Sequence, residues 1–291
     1  MMLALQSGIR TARFWAHAHR TFSRQAARAD RAALSRQLCA ARADSEALIA
    51  ALRRDGVVAV PDYWTAEKCA LARNEIDQLI AQYRDAVQLY SAGADKRMFG
   101  VESVSAPLAE FHRDPLLRRL GEYFTGVDLY NFITLGARID ATPQNIGSGE
   151  GWHRDWHGFQ FKAILYLSDV SEDNGPFEYL AGSHKSWRAV LDTVVGGLPS
   201  APGTRYEPAM VDRLAARGGE RKRHFIGGAG TLLLVDTSGI HRGRPLGRGT
   251  RYALTNYYYP PFQIGAGMIE KFSPLIPGTA ERIARDFPAA T

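Results

Sequence analysis

The chain has 291 residues and a mass of 32.1 kDa, with 45% hydrophobic and 23% charged residues, the profile of a globular protein that buries a sizeable core in one large domain or two small ones. No apolar run approaches the roughly 20 residues needed to cross a bilayer, since stretches such as Leu232-Leu233-Leu234-Val235 are only strand-sized. Two cysteines, Cys39 and Cys69, exclude a disulfide framework and a four-thiolate zinc site and predict a reducing compartment, the cytoplasm.

The charge is uneven. Residues 1–54 carry ten Arg, no Lys and three acids, so this segment alone supplies +7 while the remainder sums to −1. On a helix at 100° per residue, Arg10, Arg13, Arg20, Arg24, Arg28 and Arg31 fall within about 80°, with Trp15, Ala18 and Phe22 roughly opposite. Residues 1–43 therefore read as a basic amphipathic helical extension. It either packs on the main domain with a solvated Arg face, the favoured reading, or makes peripheral membrane contact through residues 1–35. The first 29 residues contain no acid, which also fits a mitochondrial presequence if the source is eukaryotic. No DNA-binding motif accompanies the basic stretch, so sequence-specific nucleic acid is not an expected partner.

Residues 44–291 read as the main domain. Leu48, Ala51 and Leu52 at helical spacing, the Asp55-Gly56 stop, Val57-Val58-Ala59-Val60 and Thr65 predict helix, strand and helix. Beyond residue 95 the character changes to strands at 97–104, 131–140, 152–168, 176–180, 231–236 and 251–259, with one helix near 114–124. Many short strands with turn signals predict an antiparallel sandwich or barrel. Residues 191–228, broken by Gly196-Gly197, Pro202-Gly203 and Gly218-Gly219, read as an insertion that serves as a lid or specificity loop.

His153-Arg154-Asp155 is not a kinase catalytic loop, because Gln160 stands where that motif needs Asn and no glycine-rich loop or DFG is present. Gly147-Ser148-Gly149-Glu150-Gly151 lacks dinucleotide-fold spacing. On an extended strand, however, His153 and Asp155 project to one face. With His241, placed after the apolar strand Thr231 to Val235, they make two imidazoles and a carboxylate, the donor set of non-haem iron(II) oxygenases. Ten residues on, Arg251 heads a strand, where a guanidinium can take the far carboxylate of a dicarboxylate in bidentate fashion. Lys162 is either a pocket residue or an outward-facing one. Arg242 and Arg244 beside His241, and Arg221-Lys222-Arg223-His224, either attract an anionic substrate or form a solvated basic loop.

These residues resemble the phytanoyl-CoA dioxygenase family of iron(II)- and 2-oxoglutarate-dependent oxygenases. The resemblance runs through Asp55 to Pro61, Trp152 to Asp155, Leu167 to Glu178, Ala181 to Lys185, Gly230 to Leu234, His241 and Arg251. It implies a mainly β fold with flanking helices, a double-stranded β-helix (jelly-roll, cupin-like). It also implies iron bound by His153, Asp155 and His241, 2-oxoglutarate held by Arg251, and O2 as oxidant. The implied reaction hydroxylates an aliphatic C-H bond of a small or lipid-like, anionic substrate, releasing succinate and CO2. Asn174-Gly175-Pro176 and Gly182-Ser183-His184 would be structural. Related halogenases replace the carboxylate with a small residue, so Asp155 favours hydroxylation. Some members carry a hydroxyl residue two after the distal histidine as a second 2-oxoglutarate contact, where this chain has Gly243, and neither Arg97 nor Arg138 is singled out as the early-strand ligand. Two other classes of function remain: a non-catalytic β-barrel binding module whose metal residues are vestigial or hold zinc, and a membrane-surface adaptor acting through the Arg-rich helix.

Overall fold

A computed structural model describes residues 2–25, 30–199, 204–217, 221–265 and 267–288. Three helices, α1 (Met2–Gln25), α2 (Arg31–Ala41) and α3 (Ser45–Asp55), precede β1 (Val57–Val60) and α4 (Ala66–Gln82). β2 (Gln88–Tyr90), β3 (Asp95–Phe99), α5 (Ala106–His112), α6 (Pro115–Thr125) and β4 (Tyr130–Asp140) follow. Then come β5 (Phe161–Tyr166), β6 (Phe177–Leu180), α7 (Ser186–Gly196), α8 (Pro208–Ala216), β7 (Lys222–Phe225), β8 (Leu232–Asp236), β9 (His241–Gly243), β10 (Thr250–Tyr259), α9 (Met268–Phe272) and α10 (Thr279–Asp286).

Two antiparallel sheets face each other, one ordered β1-β8-β5-β10-β4-β3-β2 and a smaller one ordered β7-β6-β9. This is the expected jelly-roll. Period-two alternation divides the larger sheet. Phe161, Ala163, Leu165, Leu232, Leu234 and Leu254 pack against α3, α4, α5 and α6. From the same strands, Tyr166, Leu233 and Val235 pack toward Phe177 and Tyr179 of the small sheet. Each fully buried Leu contributes roughly 1.5–3 kcal/mol, so the helix layer pins the outer face of the sheet and leaves the inner face to build a site.

Local signals explain the helix limits. Gly56, at φ 87°, closes α3 in the left-handed region. The Thr65 hydroxyl accepts the Lys68 amide at 3.3 Å, and the Asp114 carboxylate accepts the Leu116 amide at 2.9 Å ahead of Pro115.

The expected strand 152–168 is a correction. Only Phe161–Tyr166 is strand, because the chain turns at residues 156–159 and His157 there stacks under Phe14 of α1, with centroids 5.4 Å apart. The 191–228 segment is likewise no loop. It holds the end of α7, then α8 and β7, and Leu198, Tyr206, Val211 and Leu214 bury themselves with Trp152, Leu180 and Ile240.

α1 lies on α7, with the Thr11 hydroxyl 3.3 Å from that of Thr193 and Gly8 against Val194. Trp15 and Ala18 are buried, while Arg10, Arg13 and Arg20 are exposed, as are the apolar Leu5, Ile9 and Phe14. Arg28 lies outside the described residues, as do the side chains of Phe22 and Arg24. No helix among the described residues is long and apolar enough to cross a membrane.

Candidate metal centre

Two extended segments meet at one edge of the sandwich. His153 and His241 form an antiparallel bridge in which the His153 amide donates to the His241 carbonyl at 3.0 Å and the reverse bond is 2.9 Å. Two residues on, the Asp155 amide donates to the Thr237 carbonyl at 3.0 Å. Backbone hydrogen bonds therefore set the register, and alternation turns His153 and Asp155 to the same side. Nε2 of His153 lies 3.4 Å from Oδ1 of Asp155, and Nε2 of His241 lies 3.9 Å from Oδ2.

Both rings are oriented in the same way. Nδ1 of His153 is 2.9 Å from the Gly151 carbonyl, and Nδ1 of His241 is 2.9 Å from the Gly239 carbonyl. A carbonyl only accepts, so each Nδ1 carries the proton and each Nε2 turns its lone pair toward Asp155. Burial, reinforced by His153, pushes the His241 pKa down to about 3, which keeps the ring neutral and fit to ligate. Burial alone would raise the Asp155 carboxyl, but the Lys162 ammonium holds it well below the usual carboxylate range.

All three ligand atoms lie within 4.8 Å of one another. Donors about 2.1 Å from an ion and at right angles stand about 3 Å apart, so small side-chain adjustments bring the set onto one face of a divalent ion. The residues fit iron(II).

The centre opens into a cavity of about 140 Å³ between the sheets, room for one small molecule. β10 runs along it. Arg251 stands near its start and Tyr257 six residues on. At the Tyr257 end, Lys162 projects inward with its Nζ 2.6 Å from Oδ2 of Asp155 and 4.2 Å from the Tyr257 ring. The pairing raises the lysine above its ordinary value despite burial. At the other end Arg251 is 5% exposed, its Nε has no hydrogen-bond partner, and no carboxylate pairs with it among the described residues. A buried guanidinium with no direct ion pair is costly, Asp95 attracts it only from a distance, and its surroundings favour an anionic ligand.

Arg97 shares that end, whereas Arg138 pairs with Asp77 and Asp140 away from the cavity. The basic loop residues are a correction. Arg242 pairs with Glu178 and lies over the Trp152 ring, and Arg244 pairs with Glu172 at 2.7 Å. Among the described residues, neither of these two arginines nor any residue of 191–228 lines the cavity, although Tyr206 bridges Trp152 next to His153. His184 is structural, its Nε2 3.2 Å from the Arg53 carbonyl. Sequence reasoning missed Ser148 and Thr237 as cavity residues. For Ser148 the one signal was its place between two glycines.

A jelly-roll with two histidines and a carboxylate converging beside an uncompensated arginine defines a class, the oxygenases that use non-haem iron and 2-oxoglutarate. Within that class the chain belongs to the phytanoyl-CoA dioxygenase family, whose model, Phytanoyl-CoA dioxygenase (PhyH), matches residues 52–245. It is a 2-oxoglutarate-dependent hydroxylase by family, with iron(II), 2-oxoglutarate and O2 as its cofactor set. Among curated relatives, an ectoine dioxygenase of Stutzerimonas stutzeri (strain A1501) is 23% identical over 239 residues, 73% of this chain and 74% of that one. An L-proline trans-4-hydroxylase of Streptomyces griseoviridis is 26% identical over 209 residues, 65% of this chain and 76% of that one. Among solved structures, the epimerase SnoN in complex with Fe3+, alpha ketoglutarate and nogalamycin RO has a TM-score of 0.59 at 22% identity, over 81% of this chain and 91% of that chain. EctD from S. alaskensis in its apoform has a TM-score of 0.58 at 18% identity, over 74% and 76%. These two likenesses are of fold.

Proposed function

We propose that the chain hydroxylates an aliphatic C-H bond of a small molecule, with His153, Asp155 and His241 holding the iron and Arg251 pairing with the distal carboxylate of 2-oxoglutarate. The observation that carries this reading is the convergence of two Nε2 lone pairs and one carboxylate at one end of a cavity that also contains an uncompensated buried arginine. Iron(II) with 2-oxoglutarate and O2 supplies the oxidising power, while the cosubstrate leaves as succinate and CO2.

The residues of this chain do the rest. His153, Asp155 and His241 would hold the iron(II), which would supply the chemistry that activates the oxidant and cosubstrate. Lys162 holds one oxygen of Asp155 and so steadies the carboxylate. Leu135, Ala137, Ile164 and Ala253 give the cavity apolar walls that exclude water. Relatives named for ectoine and L-proline support a small substrate over a lipid-like one. In this reading residues 44–291 are the oxygenase unit and residues 1–43 a helical extension docked on it.

Anaerobic addition of iron(II) and then 2-oxoglutarate tests the assignment. A visible charge-transfer band requiring both, and absent in His241→Ala, is the expected result. Tight zinc binding with no response to 2-oxoglutarate would instead mark a non-catalytic binding module.

A further inference from the structure

The cavity end that holds Arg251 contains a detail the metal site does not explain. Gly243 lies two residues beyond His241, yet its φ lies outside the left-handed region, so nothing in its backbone demands glycine. What demands it is space. A Cβ at Gly243 would stand 2.7 Å from the Cβ of Ser148 and 3.2 Å from Nη2 of Arg251. The turn carrying Ser148 is pressed onto the same strand. The Gly243 amide donates to the Ser148 carbonyl at 2.9 Å, and a Cβ at Gly147 would meet the Gly243 carbonyl oxygen at 2.1 Å. Gly147 and Gly149, at φ 90° and 83°, are the glycines that let the turn approach so closely.

Ser148 thereby lines the cavity together with Arg97 and Arg251. Its Oγ accepts a hydrogen bond from Nη2 of Arg97 at 3.0 Å. Arg97 is in turn held by Asp95, through Nε at 3.0 Å and Nη2 at 2.6 Å, so its charge is already balanced. A serine hydroxyl that accepts from a guanidinium keeps one proton to donate elsewhere.

We propose that the Ser148 hydroxyl, supplied by the 147–149 turn that the bare Gly243 admits, is the second ligand of the distal carboxylate of 2-oxoglutarate. Arg251 provides the charge and Ser148 a directed hydrogen bond, while Asp95 and Arg97 fix the orientation of the hydroxyl. This inference rests on the oxygenase reading above. It assigns Ser148 as a cosubstrate-binding residue and Gly243 as the space that admits it.

The test is anaerobic calorimetry on the iron-loaded full chain with two probes, 2-oxoglutarate and 2-oxopentanoate, which has a methyl group where 2-oxoglutarate has its distal carboxylate. Ser148→Ala is expected to bind 2-oxoglutarate about 10-fold more weakly than wild type and 2-oxopentanoate within about 2-fold of it. The double variant Ser148→Gly with Gly243→Ser returns a hydroxyl to the strand in the space vacated by the Ser148 Cβ, and is expected to recover 2-oxoglutarate affinity to within about 3-fold of wild type. Equal 2-oxoglutarate affinity in wild type and Ser148→Ala, or equal losses for both probes, overturns the role of Ser148 and leaves the oxygenase reading intact. A wild-type protein that takes iron but binds neither probe overturns that reading, and this inference with it.

Discussion

His153 and His241 are a mutually hydrogen-bonded pair, each amide donating to the other's carbonyl at 3.0 and 2.9 Å, with ring centroids 4.4 Å apart. Eighty-eight residues of sequence separate them, yet one antiparallel bridge between two peptide units fixes where both imidazoles point. The carboxylate is added by strand alternation alone, so three ligands cost the fold only two short extended segments.

This economy makes the site sensitive to the turn beside it. A Cβ at Gly149, whose φ is 83°, would lie 2.4 Å from Cε1 of His153. Gly149→Ala should displace the ring and weaken iron(II) affinity about 10-fold or more, with little change in far-UV circular dichroism. Metal titration against a chromophoric chelator reads the difference.

On the proposed reading Asp155 has two functions that substitution can separate. Asp155→Ala removes a ligand and also strands Lys162, which is 7% exposed and has Asp155 at 2.6 Å. The metal-free variant should lose about 3 kcal/mol of stability in urea unfolding, the order expected when one partner of a buried pair is removed. Adding Lys162→Met should restore most of that stability and none of the iron binding. A double variant that regained iron affinity would remove Asp155 from the ligand set.

Arg251→Lys keeps the charge and loses the planar fork. Its KM for 2-oxoglutarate should rise by about 10-fold or more, while iron affinity stays unchanged. Steady-state kinetics with calorimetric iron titration would separate the two effects.

Away from the site, the His112 pKa is pushed down to about 3 by burial, and then by Arg282 and Arg113. The folded protein therefore keeps this ring neutral, its Nδ1 2.8 Å from the Thr134 hydroxyl, whereas the unfolded chain protonates it near pH 6.5. Below that pH the unfolded state binds the extra proton, so stability falls as pH drops from about 6.5 toward 3. In His112→Gln this dependence should flatten by roughly 1–3 kcal/mol between pH 6.5 and 4, as measured by urea midpoints at each pH.

Much of this was legible in the chain. His153, Asp155, His241 and Arg251 could be chosen because alternation, order and the family resemblance act at short range or in sequence. What was hidden depends on partners distant in sequence. The parity of Lys162 was ambiguous because both faces of β5 are covered, and only the placement of Phe161, Ala163 and Leu165 against the helices turns it inward. Arg242 and Arg244 read as free positive charge until Glu178 and Glu172 of other segments appear beside them. The glycines of 191–228 suggested a broken loop, but Gly197 is the left-handed cap that ends α7, and Gly196 makes room for Leu214 of α8.

The conversion of 2-oxoglutarate by these side chains is proposed to proceed in step with oxidation of a small molecule. Its most direct test is succinate release under air by the iron-loaded protein across a panel of amino acids and other small metabolites. The proposed coupling predicts that at least one compound stimulates succinate release stoichiometrically with its own hydroxylation, and that Asp155→Ala abolishes both. Undiminished hydroxylation by Asp155→Ala, or substrate oxidation that proceeds without 2-oxoglutarate, would contradict it.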